Sequence, residues 1–449
     1  MPLFQFDGLP LFRPDPLSGV MAALILFVVL NVIAYSNRYL AGDRHQRRHR
    51  GCVLLLAASV LTMVFADHLL LLLLAWTVSN LVLVRLMIHN GQWSAARNSG
   101  LLALRTLGFG SVALGAGFWL LADSAGGASL SGMLAADGEP TMGQSAGLLL
   151  IAIAALTQSA AWPFHRWLTS SLNSPTPVSA LMHAGVVNGG GFLLARFAPL
   201  YATQPALLHG LFVAGLVTAM VGSFWKLLQT DVKRMLACST MGQMGFMLMQ
   251  CGMGLFAPAI SHLCWHGLFK AYLFLSAGSV VQEKRSSIPA GAPSPVRTLL
   301  ACLAGVCGAL AFAATTATEL DFTNTACLMI VLAFMAATQL ALGILHQPLT
   351  AARLMGAVLV GSGAGGLYGL SIRLVEAALA APHAMQPQPM DVVYFAGMVL
   401  VFLAWIGMNL NLPARLQSRT AWKRLYLAAL NASQPDPRTV TATRTTYQS

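Results

Sequence analysis

About thirteen apolar stretches, most of them near twenty residues long, follow one another with little between them. A bilayer suits such a chain. Roughly 20 apolar residues span the hydrocarbon core as a helix, and a helix satisfies its own backbone groups there. The stretches centre on 17–36, 51–66, 68–88, 100–122, 145–161, 176–200, 207–226, 234–256, 258–282, 298–316, 324–345, 354–375 and 391–411. Only 9% of the residues are charged, against about a quarter in soluble domains. The chain therefore reads as an all-α polytopic membrane protein with about 13 transmembrane helices. Residues 1–411 form the membrane domain, with a core at 100–411, and 412–449 form a basic cytoplasmic tail. The first stretch lacks the basic start and small-residue cleavage site of a signal peptide and reads as a retained span.

The net charge of +12 invites a nucleic-acid reading, but its distribution reports topology. Arg38, Arg44, Arg47, Arg48 and Arg50 follow the first span and mark that side as cytoplasmic. With spans alternating from there, all but five of the 26 Lys and Arg face the cytoplasm. The exceptions are Arg13, Arg105, Arg196, Lys270 and Arg373. The acids collect opposite, among them Asp15, Asp67, Glu319 and Asp391. This predicts a periplasmic N-terminus and a cytoplasmic C-terminus. It makes the lipid bilayer the partner of the basic excess, with no nucleic acid. The seven cysteines lie in or beside apolar stretches without a C-x-x-C and read as small buried hydrophobes. The glycine-rich run Gly361–Gly366 lies inside a span and suits close helix packing. Loop 123–144 reads as flexible, 283–297 as a cytoplasmic linker and 431–449 as disordered. Trp162–Pro177 reads as an interfacial helix leading to Pro175 and Pro177 at the start of the sixth span.

Lys270 lies mid-span, one turn after His266 and two after His262, so all three share a helix face. A charge at that depth costs roughly 2.5–3.5 kcal/mol on insertion scales. Two imidazoles and a desolvated amine in a row suit a proton or ion relay. The competing readings are polar contact between helices and a zinc site at the two histidines. His183 stands near an expected helix break, as a relay member or a satisfied core histidine. Lys233 opens the eighth span, as an ion entrance or a positive-inside anchor. Gln158, Ser239, Gln243 and Asn188 either line a polar path or bond between helices. The sequence holds no Cys/His/Asp zinc constellation, so the chain reads as a transport subunit and not an enzyme, with no cofactor of its own.

Two strings carry a resemblance. One is P-T-P-V-S-A-L-x-H-A at 175–184. The other is D-x-K-R-x-L-A-x-S-T-x-x-Q-x-G at 231–245. Both resemble the proton-conducting membrane family of complex I antiporter-like subunits and Mrp-type antiporters. That resemblance implies an antiporter-like fold with inverted five-helix repeats, spans 4–8 and 9–13. The VVNGGGFLLARFAPL variant resembles the membrane subunit of Dab-type inorganic carbon pumps. In those, the resemblance implies, ion flow drives hydration of carbon dioxide to bicarbonate on a soluble zinc subunit similar to β-carbonic anhydrase, at the bacterial inner membrane. A proton-translocating subunit of a quinone oxidoreductase and a non-conducting anchor for a soluble enzyme are the alternatives. The family's usual Glu after Trp and Lys before the S-A-x-x-P string are replaced here by Thr77 and Gln158.

Overall fold

The computed structural model describes residues 11–135, 140–278, 294–379 and 385–440. Every regular element among them is helical, and pairing of extended residues is limited to isolated bridges such as Phe12 with Ala66. The helices fall into two compact units. The first holds 11–252, 262–278 and 429–440, the second 253–261, 294–379 and 385–428.

The first unit runs α1 Pro16–Tyr39, α2 Gln46–Phe65, α3 Leu69–Met87, α4 Ser94–Ala125, α5 Leu130–Ala135, α6 Met142–Gln158, α7 Arg166–Thr169, α8 Thr176–Ala184, α9 Gly189–Arg196, α10 Ala198–Ala202, α11 Pro205–Leu228 and α12 Val232–Gly252. To these it adds α13, Phe256–Leu275, from His262 onward. Local chemistry sets the starts. Asp15 caps α1 by accepting from Ser18 N at 2.9 Å, and Pro16 follows where a missing amide costs least. α8 likewise carries a proline in its first turn. The sixth span is broken as expected: α8 stops at Gly185, Val186–Asn188 makes one 3-10 turn, and α9 resumes. Gly190 lets α9 lie directly on α6, because a Cβ there would overlap Ala155 O and Ser159 Oγ.

The C-terminal end of α9 is tied to α1 and α2. Buried Arg196 pairs with Asp15 and donates to Ser18 Oγ at 3.0 Å and Val64 O at 2.7 Å. Loop 123–144 is held where it is described. Asp67 accepts from Ser129 Oγ at 2.7 Å and from Ser131 N and Oγ, both at 2.9 Å. Residues 429–440 are ordered too, against the expected disorder from 431. Asn173 Nδ2 donates to Thr439 O at 2.7 Å, Asn98 Nδ2 to Arg438 O at 2.9 Å and Gln229 Nε2 to Ser433 Oγ at 3.0 Å. Residues 441–449 and most of the 283–297 linker lie outside the described residues.

The second unit contains α14 Pro295–Thr316, α15 Ala326–Leu345, α16 Ala351–Leu379, α17 Val392–Asn409, α18 Leu412–Leu416 and most of α19, Thr420–Ala432. Here the Gly361–Gly366 run does what its composition suggested. A Cβ on Gly365 would overlap the Gly308 carbonyl, and one on Gly308 would sit 2.9 Å from the Gly361 carbonyl, so α14 and α16 meet backbone to backbone.

Ten helices among the described residues, with α8–α9 taken as one, are long and apolar enough to cross a membrane. α6 is a shorter apolar helix, and α12, which carries the second motif, and α13, which carries the basic row, fall outside the ten. All thirteen expected stretches are helical, yet the count of thirteen spans is not confirmed.

Two predictions follow from this packing. Gly365→Ala should lower stability by about 1–3 kcal/mol in a thermal melt, since backbone cannot yield as a side chain does. Gly363→Ala, whose Cβ would meet open space, should be neutral; equal melts for the two would contradict the close contact. For Asp15, burial works to raise its pKa, but the Arg196 charge and the Ser18 hydrogen bonds outweigh it and hold the carboxyl below its ordinary 3.8. A depressed carboxylate stabilises fully above its unfolded value and loses that contribution as pH falls through the folded one. Asp15→Asn should therefore flatten the pH dependence of melting below about pH 4, whereas an unaltered slope would show that the pair adds nothing.

Candidate functional site

α13 carries its three basic residues as the spacing required. The His262 and His266 rings stack with centroids 6.2 Å apart. His266 is 5% exposed, and among the described residues neither of its ring nitrogens has a partner. His262 bonds the main-chain carbonyl of Gln243, leaving Nε2 without one. Lys270 is 1% exposed and donates to a single oxygen, Leu236 O, at 3.2 Å. Among the described residues no ion pair reaches it. An amine taken from water with one neutral acceptor is far from the balance that normally holds a buried charge.

The broken span and α12 bring the next members to this row. His183, at the end of α8, places Nδ1 3.0 Å from Thr240 Oγ1 on α12 and stacks on Phe274, one turn beyond Lys270, at 4.3 Å. Gly267 allows the approach: a Cβ there would lie 2.9 Å from Ala184 O. Thr240 Oγ1 donates to Leu236 O at 3.0 Å, the same oxygen that receives Lys270. Lys233 begins α12 two turns before Thr240, about 10 Å along the axis. Its Nζ donates to Ser174 O at 3.1 Å, in the loop that leads to α8. His183 and Lys270 thus meet through Thr240 and Leu236, linking α8, α12 and α13, with Lys233 farther back on α12.

A second, uncharged group lies on the other side of the break. Gln158 Nε2 donates to Asn80 Oδ1 at 3.0 Å and Val186 O at 3.3 Å. Asn188 Nδ2 donates to Ala184 O at 2.8 Å. Trp76, Gln158 and Asn188 line a cavity of about 50 Å³ whose other wall is α1 and α2. Thr77 takes no part; its hydroxyl bonds Leu73 O at 2.8 Å within α3.

The remaining expected residues are placed less centrally. Ser239 is half-buried, and Gln243 is exposed and reaches the row only through its main-chain carbonyl. Arg105 is exposed on α4. Two partners escaped the sequence reading: Asn80, which meets Gln158, and Asp15, which pairs with Arg196. Asn80 stands one turn after Trp76, a spacing that would have shown it facing the same side. Among the described residues no group of three or more His, Cys, Asp or Glu is placed to hold a metal ion.

The profile of the family described as NADH:quinone oxidoreductase/Mrp antiporter, TM, matches residues 66–290. The chain belongs to that family. A profile for the N-terminus of complex I chain 5 matches residues 10–49. The chain is similar to a protein named probable inorganic carbon transporter subunit DabB1 from Halothiobacillus neapolitanus, 40% identical over 294 residues, 64% of this chain and 52% of that one. It is similar also to a probable DabB of Bacillus subtilis, 39% identical over 276 residues, 60% and 53% of the two chains. NADH-quinone oxidoreductase subunit L of Mycobacterium tuberculosis is 34% identical over 277 residues, 60% of this chain and 43% of that one. The chain spans about half the length of the curated relatives it matches. A chain in the structure of an Mrp complex from Dietzia sp. shares the antiporter-like fold, with a TM-score of 0.62 at 24% identity over 93% of this chain and 52% of that one. The antiporter-family match contains Trp76, Gln158, His183, Lys233, Thr240 and the whole α13 row.

Replacing a buried, poorly paired charge by an apolar isostere is often neutral or stabilising, by up to about 4 kcal/mol. Lys270→Met should accordingly melt no lower than the unaltered protein. A lower melting temperature would show that the bond to Leu236 outweighs the desolvation of the amine.

Proposed function

We propose that this chain is the membrane subunit of an inorganic carbon transporter. It conducts protons or another cation, and that flow drives hydration of carbon dioxide on a soluble, zinc-containing partner similar to β-carbonic anhydrase. The names of the DabB relatives support the substrate class. The observation that supports conduction is Lys270: a nearly inaccessible amine that among the described residues has one main-chain acceptor and stands beside an imidazole with none. A group held so weakly in either protonation state can change state at small cost.

The path follows from the topology that the arginine distribution favours, in a bacterial inner membrane with the N-terminus periplasmic and the C-terminus cytoplasmic. A proton arriving from outside meets His262, then His266, then Lys270, passes to His183 and leaves by Lys233. Gln158, Asn188 and Ser239 contribute polarity but hold no charge, and Gln243 contributes only its main-chain carbonyl. The zinc chemistry belongs to the partner, and this subunit supplies the ion movement that makes hydration one-way.

In cells that depend on this system, Lys270→Ala should abolish carbon uptake while a zinc-containing soluble protein still co-purifies in mild detergent. Uptake that survives the substitution would refute conduction through Lys270 and leave an anchoring role. Co-purification of iron–sulfur subunits would place the chain in a quinone-linked complex.

A further inference from the structure

Thr240 has one hydroxyl proton and two neighbours that could take it. Leu236 O and His183 Nδ1 both lie 3.0 Å from its Oγ1. Thr240 is fully buried and His183 is 2% exposed, so these contacts are made within the protein. Inside a helix, a threonine hydroxyl characteristically donates to the carbonyl four residues back, and Leu236 occupies that position. That carbonyl is shared: it also receives the α12 backbone amide four residues on and Lys270 at 3.2 Å, and sharing of a helix carbonyl between backbone amide and threonine hydroxyl is the usual form of this back-bond. With its proton committed, Thr240 can only accept from the imidazole.

We infer that Thr240 is a positioning residue that fixes neutral His183 as the Nδ1–H tautomer, leaving Nε2 as the nitrogen that gains and loses the transported proton. The second ring nitrogen of a histidine is commonly set this way by the bond made at the first. Protonation adds one hydrogen to Nε2 and gives an imidazolium that still donates Nδ1–H to Thr240. Loss of that same hydrogen restores the neutral ring, and no other bond changes. Lys270 can keep donating to Leu236 O whether charged or neutral, so the lock holds through the cycle. The effect on flux rests on the relay reading; the tautomer assignment does not.

The test uses the full chain labelled with 15N-histidine in lipid nanodiscs, with the His183 signals assigned by their loss in His183→Gln. The unaltered protein should show a protonated Nδ1 and a bare Nε2. Thr240→Val, which keeps the shape and removes the hydroxyl, should shift the ring toward Nε2–H. It should also lower proton flux in proteoliposomes about tenfold, the worth of one ordinary hydrogen bond. Thr240→Ser should restore both. An Nε2–H ring in the unaltered protein, or a valine variant with an unchanged ring and unchanged flux, would overturn the assignment. An unaltered protein that shows Nδ1–H but carries no protons would remove the relay and leave Thr240 as the lock.

Discussion

The desolvated amine of Lys270 is the constraint around which the first unit is arranged. A lysine head that cannot reach water or a carboxylate must find protein oxygens, and here it finds one, the Leu236 carbonyl. Supplying it takes three features at once. α12 must present a carbonyl within reach, α13 must lie close enough to use it, and α8 must end beside both. The glycine at 267 and the break at Gly185 meet the last requirement. The proline-initiated α8 then delivers His183 to Thr240.

The uncharged group at Gln158 makes sense against that background. A second charge on the other side of the break would need its own counter-charge, and a buried ion pair is costly to desolvate. Two amides joined by a hydrogen bond, Gln158 to Asn80, hold α3, α6 and the 3-10 turn together without that cost. The charge is thereby concentrated on the α13 side. This differs from the Glu and Lys that the family resemblance implied at positions 77 and 158, and on the proposed reading it leaves the basic row to carry the ion.

Much of this was legible in the sequence because bilayers read simple patterns. Apolar length located the long helices. The i, i+4, i+8 spacing placed His262, His266 and Lys270 on one face, and the glycines of 361–366 announced backbone contact. The misses have a common cause. Hydrogen bonds between distant helices depend on rotation and depth, which composition does not encode. Nothing local to Asn80 names Gln158 as its partner, and nothing in Asp15 names Arg196. Gln243 failed as a side chain for the same reason: its position in a motif is visible, whereas the direction it faces is set by how α12 is turned. The order in 431–440 was hidden because its polar composition mimics a disordered tail, while its bonds run to Ser170, Asn173 and Gln229.

The central claim is that ion movement requires an amine at 270 that can lose its proton, and not merely a positive charge there. Voltage-driven proton uptake by proteoliposomes bearing Lys270→Arg tests it most directly, because guanidinium keeps its charge but stays protonated at any accessible pH. Uptake abolished by arginine, with the complex still assembled, is the predicted result. Uptake that continues with arginine in place would contradict it.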